Sequence, residues 1–374
     1  MLGIAGYNEA YSDEFTVTAQ PLLDARIVGS YTSPGESSKI ALSRRRPQIL
    51  YLTDISEGLL KFDVSDPAKP KLLASTKIEG GGAYAVAIAP TNNFGSHDIL
   101  VSGYGNSKIA LILSASREFT IQDTIAALGS VQDLWYTGHY GIAVSGGPEF
   151  ELIRIVHDPD APFDAGVAFV PALQTQRIPT TIGASVVDIA HDPISKKVFL
   201  AQGSAGVGVF DLRNLDNPPP LRTLDLEGNT YAVALDTISY SPYLGHEFIY
   251  ILNNQSLMIV EVSRDGNTLK QRGKVALAGE GADIDVYDNT AAVAEWEKGV
   301  EIFDVKDPDN PHSLGVVDTP GRARDVAVQN EQVLLCAYQS TASSVCKKDP
   351  TARWHIYVAD DRDDLQVIEM NMHF

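Results

Sequence analysis

Arg322 and Arg324 open the segment RARDVAV (322–328), placing two guanidinium groups within three residues. A guanidinium facing a carbonyl or enolate oxygen hydrogen-bonds to it and polarises it. Tyr84, Tyr231 and Asp283 stand at the openings of three similar segments, AYAVAIA (83–89), TYAVALD (230–236) and ADIDVYD (282–288). A phenol or a carboxyl at such a place can move a proton at a leaving hydroxyl. We take Arg324, Tyr231 and Asp283 as candidate catalytic residues. Tyr84, Gln132, Trp296, Arg322, Lys39 and Tyr338 are candidate substrate-binding residues. Together they would line a mostly neutral pocket with aromatic walls, the usual make-up of a small-molecule site.

Each candidate has a structural alternative. The arginines can simply pair with nearby acids, and Tyr84 and Tyr231 can pack between neighbouring elements. Trp296 can be a rim residue, and Asp283 the partner of an arginine. Asp133, Asp188, Asp285 and Asp325 recur at one position of the same segment type. Their recurrence points to a structural role, satisfying neighbouring backbone groups.

Familiar catalytic signatures are missing. GYGNSK (103–108) is not a P-loop, and GEGADI (279–284) precedes a strand rather than a helix. There is no Gly-x-Ser-x-Gly elbow. The eight histidines never stand at His-x-His or His-x-x-x-His spacing. The expectation is therefore chemistry with no cofactor and no metal, carried out by positioning and hydrogen bonding.

The elements that position these residues form a repeat. GLLKFDVSDPAKP (58–70), GVGVFDLRNLDNP (206–218) and GVEIFDVKDPDNP (299–311) are one phrase, with weaker copies at 150–162, 256–267 and 365–370. Between the copies run the RARDVAV-like segments, seven in all if SSKIALS (37–43) is included. Short apolar segments follow them, among them ILYLTD (49–54), KVFLAQG (197–203) and VLLCAY (333–338). All are four to seven residues long, alternating or continuously apolar, and rich in β-branched residues, which are strand signals. Four strands per unit of about 45–50 residues make the blade of a β-propeller.

The chain is thus expected to be all-β, a single seven-bladed propeller over 25–374 with an N-terminal extension over 1–24. An N-terminal strand near 26–32 is expected to complete the last blade and close the ring. The last blade is read as 322–328, 333–338 and 365–370, with an irregular insertion over 339–364. A one-residue slip in inner-strand register would exchange the residues reaching the axis.

The phrase Gly-Leu-x-x-Phe-Asp-Val-Ser-Asp-Pro-x-x-Pro resembles the signature of LVIVD-repeat propeller proteins, and the resemblance spans nearly the whole chain from residue 25. It implies the fold and says little of function. Length, seven degenerate blades and acidic balance are also similar to fungal propeller proteins of natural-product pathways, among them hetero-Diels–Alderases of tropolone-sesquiterpenoid biosynthesis. That resemblance implies a cofactor-independent pericyclase joining a tropolone-derived quinone methide to a terpene alkene. The alternative is a non-catalytic propeller that binds a protein or a glycan on one face.

Composition narrows the partners. The 374 residues carry 48 acidic and 29 basic side chains, a net charge of −19. Such a chain repels phosphate backbones, which argues against nucleic acid. No apolar run approaches the ~20 residues of a membrane span. The first residues lack the basic start of a signal peptide, although a leader removed earlier is compatible with this reading. Cys336 and Cys346 are read as either one local disulfide or two free thiols. Nothing in the sequence calls for an oligomer.

Overall fold

A computed structural model describes residues 23–43, 46–77, 82–88, 98–136, 140–157, 171–180, 183–192, 194–236, 246–253, 255–263, 265–330, 353–362 and 364–371. These form seven four-stranded antiparallel sheets, with no helix among the described residues. Blade 1 holds β2 (Ser37–Leu42), β3 (Ile49–Asp54), β4 (Gly58–Asp63) and β5 (Lys71–Thr76). Blade 2 holds β6 (Ala83–Ile88), β7 (Asp98–Tyr104), β8 (Lys108–Ser114) and β9 (Phe119–Ala126). Blade 3 holds β10 (Asp133–Tyr136), β11 (Tyr140–Val144), β12 (Glu149–His157) and β13 (Pro171–Pro179). Blade 4 holds β14 (Asp188–Asp192), β15 (Lys197–Ala201), β16 (Val207–Asp211) and β17 (Pro220–Leu224). Blade 5 holds β18 (Thr230–Leu235), β19 (His246–Asn253), β20 (Ser256–Ser263) and β21 (Leu269–Ala276). Blade 6 holds β22 (Asp283–Tyr287), β23 (Thr290–Ala294), β24 (Val300–Asp304) and β25 (His312–Val317).

Blade 7 takes β26 (Ala323–Asn330), β27 (Arg353–Asp360) and β28 (Asp364–Asn371) from one end of the sequence and β1 (Asp24–Tyr31) from the other. β1 pairs antiparallel with β28, so the expected closure is present and β28 has no open edge. One assignment needs correction. The second strand of this blade is β27, inside the stretch read as an irregular insertion, and not VLLCAY. Both segments are apolar and β-branched, so pattern alone does not separate them. Residues 353–360 add Trp354, which is buried and stacks edge-on to Tyr287 of blade 6 with ring centroids 5.9 Å apart. Residues 333–338 lie outside the described residues, as do Cys336 and Cys346.

The repeated phrase is explained residue by residue. Its opening glycines, Gly58, Gly206 and Gly299, have φ of 85°, 77° and 80°, and a Cβ at any of them would strike an outer-strand carbonyl. Its phenylalanines, Phe62, Phe210 and Phe303, are all buried. Phe62 meets Tyr31 edge-on at 4.8 Å and Phe210 meets Phe150 at 5.3 Å. Burying one such ring is worth roughly 1.5–3 kcal/mol. The aspartates that follow cap the next turn. Asp63, Asp211 and Asp304 accept the backbone N–H groups of Ser65, Arg213 and Lys306 at 2.9–3.0 Å.

Seven apolar clusters fill the spaces between blades. The one closing the ring joins Leu50, Leu52 and Phe62 of blade 1 to Tyr357, Leu365 and Val367 of blade 7. The second strands of blades 1, 4 and 6 are buried along their whole length, which is why they read as apolar runs rather than alternating ones.

Candidate functional site

The recurrent aspartate of the inner strands does what its recurrence suggests. Asp133 accepts the backbone N–H of Ile189 at 3.2 Å, and Asp188 that of Val233 at 2.7 Å. Asp285 accepts that of Val328 at 2.7 Å, and Asp325 that of Ile40 at 2.6 Å. Each acceptor belongs to one blade and each donor to the next. These carboxylates therefore staple neighbouring inner strands at the axis, where inner strands do not pair with one another in a ladder.

Blade 1 carries Lys39 at the position where other blades carry that aspartate. Its ammonium reaches the axis and contacts Asp283, with Asp188 at 3.7 Å and Asp133 at 3.9 Å. Asp325 stands close by and shares a hydrogen bond with Asp283, as Asp133 does with Asp188. Five blades thus contribute one cation and four carboxyls to one buried cluster. The Lys39 side chain keeps 20% of its surface exposed, while those of Asp188 and Asp283 keep 8% and 9%.

The charges do not balance, and the acids divide accordingly. Burial alone would depress the Lys39 pKa, but the four carboxylates, Asp283 foremost, raise it well above the ordinary value. Burial would raise Asp283 too, yet the Lys39 ammonium beside it holds it below the usual carboxylate range. Burial, helped by the neighbouring carboxylates Asp283 and Asp133, drives Asp325 and Asp188 well above that range in spite of the Lys39 charge. Asp133 is raised as well, again mainly by burial. The shifts of Asp283 and Asp325 thus run in opposite directions, down for the carboxyl beside the lysine and up for its neighbour.

A second cluster lies where blades 6 and 7 meet. Arg322 donates its backbone N–H to Asp361 at 2.7 Å and pairs with the same carboxylate through Nε. Arg324 donates to Glu36 at 2.7 Å and stands 3.8 Å from Asp361. Both guanidiniums lie 6.0 Å from the centre of the Trp296 ring. Hydrogen bonds from Arg322 pull the Asp361 carboxyl down against the opposing effect of its burial.

Trp296 itself is unusual. Its φ is 41°, and it is held there by paired backbone hydrogen bonds with Ala323 of blade 7 (3.2 and 3.0 Å). The corresponding bridge between blades 4 and 5, Gly203 with Thr230, uses a glycine at φ 55°. A left-handed conformation that glycine adopts freely costs another residue about 1 kcal/mol or more. The indole is therefore kept at a place where the backbone favours glycine.

The candidate residues are accordingly distributed over three settings. Lys39 and Asp283 meet on the axis. Arg322, Arg324 and Trp296 meet at the blade 6–7 seam. Tyr84, Gln132 and Tyr231 stand one position before the axial residues of their strands. Tyr84 packs over Gly105, where a Cβ would lie 2.5 Å from the ring. Gln132 is exposed beside Gly146, and Tyr231 is half-buried. Among the described residues, no hydrogen bond, ion pair or ring contact joins these three to either cluster. Tyr338 lies outside the described residues.

Recurrence marks Asp133, Asp188 and Asp325 as backbone staples but not as members of the axial cluster, for which Lys39 is the signal. A cation at a ring position otherwise held by acids has to meet them at the centre. Glu36 and Asp361, which pair with the arginines, sit in loops with no periodic pattern to mark them.

The sequence profile of the LVIVD repeat matches residues 278–319, which comprise blade 6 and the loop entering it. No curated protein matches the chain.

Proposed function

We propose that this seven-bladed propeller, which carries an LVIVD repeat, is a cofactor-independent enzyme acting on an oxygenated small molecule at the face where the two clusters lie. The observation behind this reading is the axial group of Lys39 with four aspartates, in which the Asp283 carboxyl is pulled down and that of Asp325 pushed up. Paired carboxyls whose environments push them apart are suited to moving protons.

In the specific version, the substrate is a hydroxymethyl tropolone. The departing hydroxyl takes a proton from the acid of the axial pair and leaves as water. The ring hydroxyl gives its proton to the base, leaving a quinone methide. This diene then adds across an alkene of a terpene such as humulene, forming the C–C and C–O bonds together. Arg324, with Arg322, would hold the developing oxygen charge. Tyr231 and Tyr84 would hydrogen-bond the substrate, and Trp296, Gln132, Lys39 and Tyr338 would complete its walls.

The test is product formation, followed by mass spectrometry, from a tropolonic alcohol and humulene. Loss of turnover in Arg324→Ala, Asp283→Asn and Tyr231→Phe, with folding intact, is expected. Full activity in all three sinks these assignments. A second reading, a propeller that binds a protein or a glycan without catalysis, is favoured by one feature. Arg322 and Arg324 are already paired with Asp361 and Glu36, so neither guanidinium is a bare charge waiting for an oxyanion.

A further inference from the structure

Blades 4 and 6 build the same turn between their second and third strands. In blade 4 the Gln202 N–H donates to the Gly206 carbonyl at 2.8 Å, and the Ala205 N–H to that of Gln202 at 3.0 Å. In blade 6 the Glu295 N–H donates to the Gly299 carbonyl and the Lys298 N–H to that of Glu295, both at 2.8 Å. Each turn also bridges to the next blade, Gly203 to Thr230 and Trp296 to Ala323. The buried residue that opens the turn is neutral Gln202 in one blade and Glu295 in the other. Two places beyond the closing glycine, blade 4 has Gly208 and blade 6 has Glu301. The backbone therefore needs no carboxyl at either place. We propose that Glu295 and Glu301 make this turn a pH-sensitive latch, held closed on blade 7 by one shared proton and opening when that proton is lost to solvent.

Geometry gives each acid its part. Glu301 is buried with its carboxylate satisfied, Oε2 accepting the Ala278 N–H at 2.8 Å and Oε1 the Ser313 hydroxyl. Glu295 is 0% exposed, and neither of its oxygens has a hydrogen-bond partner among the described residues. The two carboxyls meet on one loop. A Cβ on Gly279 would lie 3.1 Å from Glu295 Oε2, next to the Ala278 N–H that Glu301 holds. A charge on Glu295 would be buried without a donor, beside a carboxylate already committed elsewhere. Burial first and then Glu301 push Glu295 up to about 8, against the pull of the Gly279 and Ala278 amides. Other charges surround the turn without reaching Glu295. Glu297 and Lys298 on the turn, Glu280 on the entering loop and Asp318 after β25 are exposed. Arg322 and Arg324 of blade 7 are paired with Asp361 and Glu36. With both glutamates charged, the smallest movement that relieves them lifts the turn. That movement parts Trp296 from Ala323, withdraws the indole from the two arginines and relaxes the Trp296 φ of 41°.

The latch is independent of the reaction proposed above, and its test involves no turnover. Hydrogen exchange on the full chain is followed from pH 5 to 9 and corrected for the intrinsic pH dependence of exchange. Residues 295–299 report the latch, and residues 202–206 serve as the internal control. Opening of 295–299 is expected to rise roughly tenfold per pH unit until it levels off near pH 8, with little change in 202–206. Tryptophan emission should move to the red over the same range, and should not do so in Trp296→Phe. Glu295→Gln, which copies blade 4, should abolish the rise. Glu301→Gln leaves Glu295 titratable and should reduce the rise without abolishing it. Equal pH dependence in the two turns overturns the proposal, as does a rise that survives Glu295→Gln or is undiminished in Glu301→Gln.

Discussion

Oδ2 of Asp285 in blade 6 accepts the backbone N–H of Val328 in blade 7 at 2.7 Å, and both residues lie on inner strands that share no ladder. Removing the acceptor leaves a buried donor unpaired, which costs about 1–3 kcal/mol. Asp285→Ala should lose that much in urea unfolding. Asp285→Asn keeps an acceptor oxygen and should recover most of it. Equal losses in the two variants would show that the carboxylate acts through its charge instead.

Lys39 is the cation of the axial cluster. Lys39→Met would leave Asp133, Asp188, Asp283 and Asp325 facing one another without it. Removing one partner of a buried ion pair costs about 3–5 kcal/mol. The deficit should be larger at pH 8 than at pH 5, because protonating the remaining acids relieves their repulsion. Denaturant titration at the two pH values checks both size and direction. A deficit independent of pH would mean that the lost packing of the lysine stem is the whole effect.

Two buried glutamates give the stability its own pH dependence. Burial first, then the neighbouring Glu301, pushes Glu295 up to about 8. Burial first, then Asp192, pushes Glu247 up to about 7. Both folded-state values lie above the ordinary 4.5. The folded protein therefore holds protons that the unfolded chain has released. The stability these groups bring is present in full below about pH 4.5 and is lost as pH rises to 7 or 8. Glu295→Gln should flatten this part of the profile, and an unchanged slope would assign it to other groups.

The ring depends on its borrowed strand. A chain lacking residues 1–31 would expose the edge of β28 and uncover Phe62 by removing Tyr31. Exposed edges recruit other strands. Size-exclusion chromatography should show self-association, and unfolding should lose cooperativity. A monomeric variant with wild-type Tm would show that the ring holds without closure.

Much of this architecture is legible in residues such as Phe62, Phe210 and Phe303, because each repeats with its glycine and its turn-capping aspartate at constant offsets. The misassigned strand of blade 7 had no such help: VLLCAY and RWHIYVAD both fit a buried strand, and only the pairing with β26 and β28 decides between them. The candidate site was legible in part for a different reason. Lys39 and Asp283 carry polar groups into an otherwise apolar phrase and could be singled out. Inner-strand side chains point to alternate sides, however, so a shift of one position separates the axial Asp133 from the exposed Gln132 beside it. Glu36 and Asp361 matter only through partners distant in sequence, and no spacing reveals them.

The way β1 lies on β28 also decides how the molecule would answer to tension. Asp24 is opposite Asn371, and the Asn371 amide donates to the Asp24 carboxylate at 2.8 Å. The chain therefore enters and leaves blade 7 at the same corner of one sheet. A pull applied through these two points loads the hydrogen bonds between the strands one after another, as a zipper opens, rather than all at once. Blade 7 would part at low force while the other six blades, each closed by strands consecutive in the chain, carried none of it. Stretched between two attachments, this ring would behave as a clasp that yields first at its own fastening.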